Sequence, residues 1–122
     1  MAQYQFKLVE TNTEIFVAEV RAFYGSTRAQ ISQIMGILNA DGADHSAQTE
    51  TALKAAKSEA IRSQHWVLCT LADRYPSLDG QAKKAAQAFA RPLRNYVPEF
   101  VLGKFFASGL LGAKNEGDGE GE

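Results

Sequence analysis

Cysteine occurs only once in this chain, at Cys69, so no disulfide can close within it. The staple framework of small secreted domains is thereby excluded, and a reducing, cytoplasmic compartment is expected. The opening residues, Met1-Ala2-Gln3-Tyr4-Gln5-Phe6-Lys7, hold no apolar leader core and no small-residue cleavage site, so no signal or transit peptide is expected. No uninterrupted apolar run reaches the roughly 18 residues of a membrane-spanning helix, and no internal repeat appears.

Catalytic patterns are also missing. Gly25-Ser26-Thr27-Arg28 ahead of a helix offers backbone donors for an anion but lacks the Walker pattern. Asp41, Asp44 and His45 cluster without the spacing of a calcium loop. His65 and Cys69 are four apart and share one side of a helix, as a thiol–imidazole pair or half a metal site requires. No second pair completes such a site. The chain therefore reads as a protein that is not an enzyme, with no cofactor, no metal and no evident small-molecule substrate.

What is present is ordinary globular material. The 122 residues make one domain's length, with 45% apolar and 22% charged side chains. That is enough to bury a core without staples. The net charge of −1 hides an asymmetry. Residues 113 to 122 hold Lys114 against Glu116, Asp118, Glu120 and Glu122, a balance of −3. Residues 1 to 112 are left with 12 basic and 10 acidic side chains. The expected organisation is a single globular domain over 1 to 112 and a disordered acidic Gly/Glu tail over 113 to 122. The tail reads first as a solubilising segment.

Patterning predicts a mainly α fold: a small bundle of three or four helices with a short N-terminal β-hairpin or strand. Tyr4, Phe6 and Leu8 alternate with polar residues, the period of a half-buried strand. Ile15, Val17 and Val20 are β-branched, which extends the hairpin to residues 3 to 9 and 14 to 20. Phe16, Val20, Phe23 and Tyr24 also fit helical spacing. Gly25-Ser26 breaks the pattern, and Thr27 with Gln30 forms a capping box for a helix ending near Asn39. Its apolar face is Ile31, Ile34, Met35 and Leu38. A long helix follows from about 47 to 74, with Asp44 or Ser46 as cap, a stripe of Leu53, Ala56, Ala60, Val67 and Leu71, and Pro76 as its stop. A third starts near Gln81, capped by Ser77 or Asp79, and breaks or kinks at Pro92. A last helix spans about 98 to 108, with Pro98 as its first residue. The predicted core is Phe16, Val20, Ile31, Ile34, Leu38, Leu53, Ala60, Val67, Leu71, Phe89 and Leu93.

Three features bear on function. Trp66 falls nearly opposite the Leu53–Leu71 stripe, beside Arg62, Cys69 and Asp73. It either meets a second packing layer or anchors a partner. Lys83, Lys84, Arg91 and Arg94 share one helix face, which reads as a solvated face or as a phosphate-neutralising stripe. No exposed aromatics interleave with these cations, so a stacking platform for single strands is not evident. Residues 96 to 111 carry an unusually wide apolar surface that includes Phe100, Phe105 and Phe106. That width suits either a buried terminal helix or a partner surface. A membrane-surface helix fits less well, with only Lys104 and Lys114 as cations.

The leading expectation is a protein-binding or assembly module that docks through Trp66, Phe100, Phe105 and Phe106, to itself as an oligomer or to a protein partner. Short chains without catalytic motifs are common among phage and mobile-element accessory proteins, a general tendency rather than a resemblance. The alternative expectation is a nucleic-acid-binding subunit using Lys83, Lys84, Arg91 and Arg94, with the acidic tail competing for that face.

Overall fold

The computed structural model describes residues 13 to 40 and 46 to 112. They form four helices, α1 (Thr13–Leu38), α2 (Ala47–Arg74), α3 (Gly80–Ala90) and α4 (Glu99–Ser108). No strand occurs among the described residues. The expected strand over 3 to 9 lies outside them.

The expected strand over 14 to 20 is instead the start of α1. Phe16, Val17, Val20 and Phe23 are all buried along one face of that helix. Their helical spacing outweighs β-branching because strand propensity is mostly a matter of context. Gly25-Ser26 does not break the helix either. Gly25 has no positive φ, and nothing lies within 4 Å of the place where its Cβ would be. Thr27, expected as a cap, sits in mid-helix. Its hydroxyl donates to the Tyr24 carbonyl at 2.7 Å and accepts from the Gln64 amide at 3.2 Å. A hydroxyl bonded back to the preceding turn is the usual way a threonine is accommodated inside a helix.

The other termini follow the local chemistry. Ser46 caps α2 by accepting the Thr49 backbone N–H at 3.0 Å. Asp79 caps α3 through Ala82 at 2.9 Å. Pro92 ends α3 in a 3-10 turn, Arg91–Leu93. Pro98 stands one residue ahead of α4, as its N-cap rather than its first residue, and its carbonyl accepts from Val101 and Leu102. Gly109 closes α4 at φ +88°. The Leu110 N–H reaches back to the Phe105 carbonyl and the Gly109 N–H to that of Phe106, a Schellman cap that tucks Leu110 into the core.

α1 and α2 are the frame. Phe16 meets Arg74, Phe23 meets Trp66, Thr27 meets Gln64 and Met35 meets Lys57. Each step up one helix is a step down the other, so the pair is antiparallel. At 26 and 28 residues, each is about 40 Å long. α3 lies on α1 and α4 on α2. Both are short, at 11 and 10 residues, so they cover only one end of the frame.

That inequality places the core. It gathers Phe16, Val20, Leu68, Leu71 and Ala72 with Ala82, Ala86 and Ala90 of α3 and Val101 and Phe105 of α4. Toward the other end, which forms a two-helix arm, the buried apolar side chains are Ile34 and Ala60. Ile31, Leu38 and Leu53, expected in the core, are only half-buried because, among the described residues, no third helix covers the arm. Phe89 is also half-buried, at the core's edge.

Candidate docking surface

The four aromatic residues singled out from sequence do not form one face. Phe105 is a correction: it is fully enclosed, between α2 and the Schellman turn, and belongs to the core. It lies on the same side of α4 as Val101, which also faces inward, so burial of one carries the other. Phe106 is half-buried against the core, with the Arg94 guanidinium 5.4 Å over its ring. Phe100 is 59% exposed and packs edge-on against His65 at 5.4 Å. Trp66 is 48% exposed and rests on the edge of Phe23 at 6.1 Å. α2 is packed on two sides, by α1 and α4, and Trp66 projects between those contacts.

The basic residues are likewise divided. Lys83 lies 5.5 Å over the Tyr75 ring and Arg94 over Phe106, so two of the four cations cover the chain's own aromatics. Lys84 and Arg91 are exposed.

Where the arm leaves the body, an open groove of about 720 Å³ runs along α1. α1 supplies Tyr24, Arg28, Ile31 and Met35, and α2 supplies Gln64. Leu93 and Tyr96, from the chain between α3 and α4, form the opposite wall. Tyr96 is 81% exposed and Met35 is 36% exposed. Tyr24 is the floor at the body end, and burial raises its phenol pKa, with Arg28 acting in the opposite direction. Its neighbour Phe89 meets it edge-on at 5.4 Å.

No protein-family model, curated protein or solved structure matches this chain.

His65 and Cys69 face α4 rather than a cleft. His65 packs edge-on against Phe100, and burial lowers its pKa. Burial raises the Cys69 thiol, with Lys104 opposing and Asp73 reinforcing the rise. Both shifts favour neutral groups, the reverse of the thiolate–imidazolium pair an activated cysteine needs. Among the described residues, no three His, Cys, Asp or Glu side chains group as a metal site. None of their helices is long and apolar enough to cross a membrane.

In the sequence, Tyr96 opens the apolar segment and Ile31 and Met35 sit on a helix face, and none of these patterns points to a surface groove. The available signal was length. Two short terminal helices cannot cover both ends of a frame built from two helices of more than 25 residues.

Proposed function

We propose that the protein is a non-enzymatic docking module that presents an apolar groove on a folded helical frame to a protein partner. The observation that carries this reading is the groove itself, with Ile31, Met35, Leu93 and Tyr96 around it; Phe100 is exposed separately, on α4 against His65. A rigid frame with uncovered aromatic and aliphatic side chains suits hydrophobic docking, in which a few such anchors supply most of the affinity. The proposed docking surface drops Phe105 and Phe106, keeps Phe100 and gains Tyr96 and Met35. The occupant of the groove is either a different protein or a second copy in an oligomer, and both are docking.

Nucleic-acid binding is the weaker reading. Lys83 and Arg94 already lie across rings of the same chain, which leaves Lys84 and Arg91 as the more open cations on that face. Few phosphate contacts mean little counterion release and weak binding.

Site-specific photo-crosslinking in cells that express the full chain separates these readings. Tyr96, Phe100 and Lys84 are each replaced in turn by p-benzoylphenylalanine, and adducts are identified by mass spectrometry. Discrete protein adducts at positions 96 and 100 but not at 84 are expected. Adducts to nucleic acid at 84, with none to protein at 96 or 100, would overturn the docking reading.

A further inference from the structure

The open side of α1 carries Tyr24, Arg28, Ile31 and Met35, at steps of four, three and four residues. That is the spacing at which one helix receives another along a continuous seam. α3 already occupies the head of this seam, where Phe89 meets Tyr24. α3 ends at Ala90, and the Pro92 turn carries the chain away. Counted from Tyr24 to Met35, about 16 Å of α1, or three helical turns, borders the groove. Leu93 and Tyr96 wall the far side and leave a channel open along α1.

We propose that this groove receives a three-turn amphipathic helix from a partner protein, lying where α3 would have continued, with a carboxylate of that helix opposite Arg28. The inference rests on the docking reading and adds the chemistry of the partner. Arg28 stands in the middle of the seam and is exposed. It makes no ion pair among the described residues. Among the described residues, no carboxylate lines the groove. An apolar helix laid over this seam strips water from the guanidinium without replacing it, which is costly. A carboxylate at the matching position restores the lost interaction and fixes the register. A basic helix meets Arg28 with like charge.

The test uses the full chain and two fluorescein-labelled synthetic helices of 14 residues, read by anisotropy. Both carry leucines on one face. One is flanked by glutamates and the other by lysines. The glutamate helix is expected to bind at least about tenfold more tightly. Arg28→Glu reverses that preference, whereas Lys84→Glu, on the exposed face of α3, leaves it unchanged. Circular dichroism of each variant confirms that helix content is retained. Equal binding of both helices, or an Arg28→Glu chain with its preference unaltered, overturns the proposal. Failure of both helices while crosslinks at position 96 persist overturns it too, and leaves the docking reading standing. A single-stranded or duplex DNA probe that binds with the same Arg28 dependence overturns it in favour of nucleic acid. A dimer in sedimentation that Arg28→Glu dissociates overturns it in favour of a second copy.

Discussion

The two ends of the α1–α2 frame are built from the same kind of sequence and are buried to different depths. At the body end, Phe16, Val20, Leu68 and Leu71 are enclosed because α3 and α4 lie over them. At the arm end, Ile31, Leu38 and Leu53 continue the same apolar stripes, with only the opposing helix for cover among the described residues. An apolar stripe on a helix marks a surface that packing can use. It does not say whether the protein's own chain does the packing. In this molecule the answer depends on how far two short helices reach.

Leucines at the two ends give the sharpest test of that difference. Leu71→Ala removes a fully enclosed side chain and is expected to destabilise by about 3 to 5 kcal/mol. Leu53→Ala removes a half-exposed one and should cost about 1 kcal/mol. Urea midpoints of the two variants measure both. Equal losses would mean that the arm is as well packed as the body.

Glycines test the same contrast with opposite signs. Gly109 holds φ +88° at the end of α4, and an added Cβ would meet Tyr75 only at 3.9 Å. The strain is therefore conformational, and Gly109→Ala is expected to destabilise by about 1 kcal/mol. Gly36, in the arm part of α1, has helical backbone and open space around it. Gly36→Ala should stabilise by about 0.5 to 1 kcal/mol. Thermal midpoints that move in the same direction would contradict this assignment of backbone states.

The smallest effect is at His65, where α2 meets α4. Burial holds its imidazole below the ordinary value of 6.5. As pH falls through that value, the unfolded chain takes up the proton first, so unfolding becomes easier. Above it both states are neutral, and His65 contributes no pH dependence. The urea midpoint should fall modestly from pH 7 to pH 5, and His65→Gln should lessen that fall. An unchanged pH profile in the variant would show that Phe100 does not shield the ring in solution.

Much of the helical layout was legible from local signals. The α2 stripe, its Ser46 cap, the Asp79 cap and the Pro92 break each rest on a residue and its near neighbours. The first turns of α1 were not legible that way. Ile15, Val17 and Val20 favour strand and Gly25-Ser26 favours a turn, each by about a kcal/mol or less. Burial of Phe16, Val20 and Phe23 against α2 outweighs both preferences. The candidate surface was harder still. The apolar width of residues 96 to 111 was visible, but the Schellman turn at Gly109, which folds Leu110 back and helps to enclose Phe105, decides how much of it stays outside. Phe105 was thereby lost to the core, while Tyr96 was left exposed beside the groove.

Native-state hydrogen exchange of the full free chain tests most directly whether one frame has a covered end and an open end. Amides over residues 20 to 23 and 67 to 72 should exchange only through global unfolding. Those over 30 to 36 and 50 to 58 should exchange through openings of distinctly lower free energy. Equal protection along the whole length of α1 and α2 would contradict the account, because the arm would then need no further cover.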